Sequence, residues 1–467
     1  MIEADYLVVG AGAMGLAFTD SILTDSPDAT VAIVDRRGRP GGHWTDAYPF
    51  VRLHQPSAFY GVNSRPLGSD RIDTIGGNAG LYELASGSEV CAYFDRVMRE
   101  RFLPSGRVQY HPLTTFDAAS NEVLHIPTGD RTPVGARTVV DATYQAVTIP
   151  ATHTPGFSVD PGAALIPVNG LGHLHTTPPA YVVIGAGKTG MDAVLHLLAN
   201  GVDPDAITWI MPRDSWILDR KNIQPGPDFI AGTVGGAARQ NELIAEATSI
   251  DALFDALEAE GLLLRIDPAV RPTMYRCATV TQAELDQLRR ITNVVRLGRV
   301  TAVEATRIVL DDGEVATSPG TLHVDCTADG LARRPLVPVF DDANITLQPV
   351  RTCQQVFSAA LIGHVEATRD NDEEKNTFCA PVPHPDSDVD FLRCALASTR
   401  NSATWQFDAE IRSWLRDARL DGFSAARSGH GNGNRAELMA IARRLVEATG
   451  PALERLESLL AEHDQAG

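Results

Sequence analysis

Two glycine-rich runs carry the residue types and the spacing needed to hold a dinucleotide. The first reads Val8-Val9-Gly10-Ala11-Gly12-Ala13-Met14-Gly15 and the second Val183-Ile184-Gly185-Ala186-Gly187-Lys188-Thr189-Gly190. In such a run Gly10 or Gly185 makes a tight turn, and Gly12 or Gly187 lets the backbone approach a pyrophosphate. Gly15 or Gly190 lets the following helix lie close on the strand. That helix then points its N-terminus at the phosphate charge. One run alone is weak evidence. Two, each set between a strand-like apolar stretch (6–9 and 181–184) and a helix-like one, imply two dinucleotides in one chain and electron transfer between them.

The next strand of each unit tells the two apart. Thr30-Val31-Ala32-Ile33-Val34 ends in Asp35, a carboxylate placed to accept hydrogen bonds from ribose hydroxyls. Ile207-Thr208-Trp209-Ile210-Met211 ends instead in Pro212-Arg213. A carboxylate repels a 2′-phosphate, whereas a guanidinium holds it bidentately. The first site therefore reads as FAD and the second as NADPH. A solvated loop arginine is the plainer reading of Arg213, and the neighbouring Asp214 weighs toward it.

These residues need two α/β folds to position them, and 467 residues suffice for two or three cored domains. The expected fold class is α/β, with two nested Rossmann-like dinucleotide-binding domains and a helical C-terminal tail. The expected segments are 1–176 (first part of the FAD-binding domain), 177–322 (inserted NADPH-binding domain), 323–387 (second part of the FAD-binding domain) and 388–467 (helical tail). A helix is expected over 89–101, a buried strand over 137–142 and a Pro/Gly-rich loop over 150–179. A helix over 237–261 and a hairpin turning at Asp311-Asp312-Gly313 follow. Leu322-His323-Val324-Asp325-Cys326-Thr327 echoes Thr138-Val139-Val140-Asp141-Ala142-Thr143, and both read as crossings between the domains. Ser428-Gly429-His430-Gly431-Asn432-Gly433-Asn434 reads as a loop. The last helix, 435–463, carries Leu453, Leu456 and Leu460 on one docking face.

Charge and composition narrow the function. A net charge of −19 argues against nucleic acid or an anionic membrane as partner. No apolar run reaches the roughly 18 residues of a membrane span, and no signal peptide is evident at the start. The six cysteines (Cys91, Cys277, Cys326, Cys353, Cys379, Cys394) are scattered, without C-x-x-C or short spacing to histidine. No metal site is expected, nor the close cysteine pair of the disulfide-linked flavoprotein reductases. Buried thiols in a reducing compartment, the cytoplasm, are the expectation.

Further motifs resemble the class B flavoprotein monooxygenases: flavin-containing, Baeyer–Villiger and N-hydroxylating. Gly41-Gly42-His43-Trp44 with Tyr48-Pro49 resembles the segment that runs along the flavin in that family. Tyr60-Gly61-Val62-Asn63-Ser64-Arg65-Pro66 resembles the stretch around its flavin-facing asparagine. Glu89-Val90-Cys91-Ala92-Tyr93-Phe94 and Gly106-Arg107-Val108-Gln109-Tyr110 resemble the helix and strand that follow. The family's F-x-G-x-x-x-H linker is not intact; the nearest material is Asn169-Gly170-Leu171-Gly172-His173-Leu174-His175. His54 also stands where Baeyer–Villiger enzymes place an aspartate.

The resemblance implies an FAD- and NADPH-dependent monooxygenase working through a C4a-(hydro)peroxyflavin, with dioxygen and a small molecule as partners; a homodimer is left open. It assigns Asn63 to catalysis and Gly42 and Trp44 to the flavin; the cluster Arg52-Leu53-His54-Gln55 just after the flavin-facing segment adds Arg52 and His54 as catalytic candidates and Gln55 as a flavin contact. Plainer readings stand beside these: Trp44 as core filler, His54 as a satisfied structural histidine, Asn63 as a turn or cap residue, His173 and His175 as loop histidines. Two other functions stay open, an NADPH-dependent flavoprotein reductase or dehydrogenase without a stable oxygen adduct and a non-catalytic nucleotide-binding protein.

Overall fold

The computed structural model describes residues 1–226, 228–422 and 435–466. The expected loop 428–434 lies outside them. Two parallel sheets organise the chain. In the first, Ile2–Val9 is central, between Val31–Asp35 and Arg131–Asp141; Val108–Pro112 lies beyond the former and Asn344–Thr346 beyond the latter. In the second, Tyr181–Ile184 is central, between Ile207–Ile210 and Leu322–Asp325, with Val294–Val295 and Ala164–Pro167 outermost. Every residue of Val31–Asp35 and Tyr181–Ile184 is buried, as befits parallel strands covered on both faces. Each central strand turns through its glycine run into a helix, Ala13–Asp25 or Lys188–Ala199.

The first sheet draws on residues 2–141 and 340–346 and the second on 164–325, so the second lies within the first in sequence. Two expectations need correction. Residues 150–179 are not simply a loop: Ser158–Val159 pairs with 302–303, and Ala164–Pro167 forms the edge of the second sheet beside Leu322–Asp325. Flanking prolines and glycines hide these short strands in the sequence. They place the join to the second unit well before 176, and Leu322–Asp325 belongs to that unit rather than to the returning segment.

The echo between 138–143 and 322–327 is structural. In each, the aspartate ending the strand accepts from the backbone N–H and the hydroxyl of the threonine two residues on, at 2.7 and 2.6 Å for Asp141–Thr143 and 2.9 and 2.6 Å for Asp325–Thr327. The chain then crosses between units, and the two crossings run together: Thr148 donates to the Gly330 carbonyl at 2.8 Å and Ala332 to that of Gln145 at 3.0 Å.

The helix expected over 237–261 is two helices, Ile230–Glu246 and Ile250–Ala259. They break at Ser249, whose hydroxyl accepts from the Ala252 N–H at 3.1 Å. Gly87–Val97 opens with a capping box between Ser86 and Glu89. Arg307–Leu310 and Gly313–Ala316 form the expected hairpin. The tail is helical over Asp388–Phe407, Ala409–Asp417 and Arg435–Ala466. The last helix docks through Ala452, Leu456 and Leu459 onto Leu243, Ile244 and Phe254, with Leu460 partly buried at the margin. No described helix is long and apolar enough to cross a membrane.

Candidate functional site

A cavity of about 890 Å³ opens beside the first glycine run, near the upper end of the range for ligand sites. Gly10 turns at φ +109°, a left-handed conformation that side chains resist. A Cβ on Gly15 would lie 2.1 Å from the Gly10 carbonyl oxygen, so this glycine is required by helix-on-strand packing alone. Gly12 differs: a Cβ there would meet only the Gly42 Cα, at 3.7 Å, and the residue faces the cavity. Among the described residues nothing requires glycine at position 12. Gly42, at φ +57°, closes onto Gly12 from the opposite wall.

Asp35 lines the same space, where it orders the glycine loop. One carboxylate oxygen accepts from the Ala11 N–H at 2.7 Å and the other from the Arg37 N–H at 2.7 Å. Trp44 stands in the wall, its indole N–H donating to the Tyr60 hydroxyl at 2.7 Å and its ring stacked on His43 at 5.3 Å. Burial, with help from Arg37, pushes the His43 pKa down to about 4. His54 and Gln55 also line the cavity. Burial, then the charges of Lys188 and Arg220, push His54 down to about 3, so it stays neutral at ordinary pH. Its Nδ1 is buried with no hydrogen-bond partner among the described residues. Such an atom carries an unpaid desolvation penalty unless a ligand reaches it. The open space at Gly12 and this unpartnered donor or acceptor are compatible with a large dinucleotide in the cavity.

The second glycine run repeats the local geometry. Gly185 turns at φ +128°, a Cβ on Gly187 would meet nothing within 4 Å, and one on Gly190 would lie 2.1 Å from the Gly185 carbonyl oxygen. Lys188 opens the helix and is paired with Asp192, which also accepts from the Tyr48 hydroxyl at 2.6 Å. The aromatic segment of the first unit is thereby tied to the second glycine run.

Several sequence assignments change. Asn63 does not line the cavity; its side-chain oxygen accepts from the Leu420 N–H at 3.1 Å, while Arg419 clasps the carbonyls of Tyr60 and Val62. The carboxamide anchors the chain near Leu420, and Asn63 itself stands in a turn between the bridged residues Val62 and Arg65. Arg52 is exposed and donates to the Leu84 carbonyl at 3.2 Å. The extended segment alternates sides, burying Val51 and Leu53 and turning Arg52 outward. Arg213 is committed: its guanidinium bonds Asp386 at 3.0 Å and the Thr273 carbonyl at 2.6 Å. Asp214 is held by Arg296 at 2.7 Å. His173 and His175 are exposed.

The sequence reading missed the cysteine pair. Cys277 and Cys353, 76 residues apart, form a disulfide, and both line the cavity. No local spacing announces a pair that only tertiary folding assembles. His43, Tyr60 and Arg276 also belong to the cavity wall, and only the first two lie near a recognisable motif.

No family model matches the chain. Among solved structures, one described as OTEMO in complex with FAD and NADP aligns at a TM-score of 0.50 and 14% identity, over 78% of this chain and 83% of its own. An oxidized steroid monooxygenase bound to NADP aligns at 0.49 and 15% identity, over 78% and 85%. The fold is that of the class B flavoprotein monooxygenases. Among curated proteins, the "Uncharacterized protein Rv2000" of Mycobacterium tuberculosis H37Rv is 52% identical over 420 residues, 90% of this chain and 78% of that protein. The chain belongs to the family of Rv2000.

Proposed function

We propose that the chain is an FAD- and NADPH-dependent monooxygenase that oxidises a small organic molecule at nitrogen, sulfur or a carbonyl carbon. One observation carries this reading: a glycine that the protein leaves free to accept a Cβ faces a dinucleotide-sized cavity, and the same local geometry recurs at a second glycine run. Gly10, Gly12, Asp35, Gly42, Trp44 and Gln55 would hold FAD, with Gly15 setting the helix against the strand. Gly185, Gly187 and Gly190 would hold NADPH in the unit that spans about 158–325. Bound flavin supplies hydride acceptance and reaction with dioxygen.

The chain's own residues position and seclude. Asp35 keeps the glycine loop in register, and its carboxylate would accept from a ribose hydroxyl of bound FAD. Trp44, fixed by Tyr60, walls the cavity against water. His54 offers a neutral Nδ1 and no charge. Lys188 and the uncapped start of its helix favour a phosphate at the second run. Arg213 reaches a 2′-phosphate only by releasing Asp386.

The test is turnover with isotopically heavy dioxygen and NADPH against panels of amines, sulfides and ketones. One labelled oxygen atom in a product supports oxygenation. Reduced dioxygen with no oxygenated product across all panels supports a second reading, an NADPH-dependent flavoprotein reductase. The placement of Asn63 outside the cavity and the disulfide within its wall favour that alternative.

A further inference from the structure

We propose that Cys277–Cys353 is a redox-active disulfide, opened by electrons from the flavin cavity at the expense of a reduced nicotinamide nucleotide. This rests on the FAD and NADPH reading above. Both residues line the cavity that begins at Gly10 and Gly12. They come from different units. Cys277 lies in Met274–Val280, which pairs with Ser215–Asp219, and Cys353 precedes the helix Gln355–Thr368. That helix packs against Ala13–Asp25, where a Cβ on Gly363 would lie 2.9 Å from the Phe18 carbonyl oxygen.

The backbone at both positions is unusual in the same way. Cys277 has φ +55° and Cys353 φ +57°, left-handed conformations that favour glycine and strain other residues. Of the seven non-glycine residues at positive φ among the described residues, three line this one cavity: Ala146, Cys277 and Cys353. At Cys277 the strand bulges. Its register to Ser215–Asp219 shifts between the pairs Trp216–Tyr275 and Leu218–Thr279, so a residue that regular pleating would place otherwise is re-aimed. Strain of this kind gathers where a side chain must be presented for chemistry.

The remaining cysteines are built differently. Cys91, Cys326, Cys379 and Cys394 are free and buried, and burial pushes the thiol pKa of each upward. They are poor nucleophiles. In a reducing compartment a disulfide persists when it is catalytic or redox-sensing. The step balances: NADPH, one proton and the disulfide become NADP⁺ and two thiols. Bound flavin would supply the route for the electron pair and end unchanged; the S–S bond breaks and each sulfur takes a hydrogen.

The flavin-loaded protein is titrated anaerobically with NADPH, quenched in acid, then alkylated under denaturing conditions with N-ethylmaleimide and weighed by mass spectrometry. The four free cysteines should be labelled before NADPH and all six cysteines after it. Complete bleaching should take about two equivalents of NADPH per chain, against about one in Cys353→Ser. Flavin that bleaches fully while only the four thiols label overturns the proposal, as does opening by dithiothreitol but not by NADPH, which marks a structural clamp. Six labelled cysteines in the untreated protein also overturn it. Protein that takes up no flavin, or whose flavin NADPH does not bleach, refutes the nucleotide reading itself.

Discussion

Gly12 and Gly15 are glycine for different physical reasons, and substitution separates them. In Gly12→Val the new Cβ finds room, so stability should change by less than about 1 kcal/mol while bound flavin is lost. In Gly15→Ala the methyl meets the Gly10 carbonyl oxygen, and unfolding in urea should show a loss of about 1–3 kcal/mol or more. A yellow Gly12→Val protein would contradict the assignment. His43 and His54 yield a second prediction at this scale. Their folded pKa values, about 4 and about 3, lie below the ordinary 6.5. Between those limits the unfolded chain binds more protons, so their contribution is full above pH 6.5 and drains away as pH falls toward 3. The stability slope below pH 6.5 should reach about 1.4 kcal/mol per pH unit for each histidine, and His54→Gln should remove one such share. An unchanged slope in that variant would show that His54 titrates normally. The glycines and Asp35 were legible because their spacing encodes a local turn. Asn63 and Arg52 were not, because the partner of one lies 357 residues away and the facing of the other depends on strand alternation.

At the scale of elements, burial on both faces made the parallel strands readable as unbroken apolar runs, whereas the helix expected from residue 89 begins at Gly87, where the capping box of Ser86 and Glu89 went unread. The break at Ser249 went unseen because apolar periodicity continues on either side of it. Ala164–Pro167 was hidden for the opposite reason, being too short and too rich in breakers nearby to show as a strand. The last helix is held by packing, with Leu456 buried at its centre. Leu456→Ala should therefore lower stability by about 2–5 kcal/mol in denaturant unfolding while leaving flavin content unchanged. Loss of flavin at full stability would mean that this helix shapes the cavity.

At the scale of the molecule, two units meet across paired crossings, the disulfide and the Arg213–Asp386 bridge. The interposition of one unit in the other could be read from the duplicated glycine runs and the duplicated Asp-x-Thr strand ends. The contacts between units could not, since each joins residues far apart in sequence. Asp386 carries Arg213, Arg276 and Arg333 together, an excess of positive charge on one carboxylate. Asp386→Asn should remove the ion pair while leaving Arg213 bonded to the carbonyls of Thr273 and residue 386, and should raise the preference for NADPH over NADH by up to about tenfold, read from flavin reduction rates with each nucleotide. An unchanged preference would retire Arg213 from phosphate recognition.

Whether one chain holds two dinucleotides that exchange electrons is decided by anaerobic mixing of the purified, FAD-reconstituted protein with NADPH in a stopped-flow spectrophotometer. About one FAD per chain is expected, its visible absorbance bleached by NADPH faster than by NADH. A chain that takes up no FAD, or whose bound flavin neither nucleotide reduces, would contradict it.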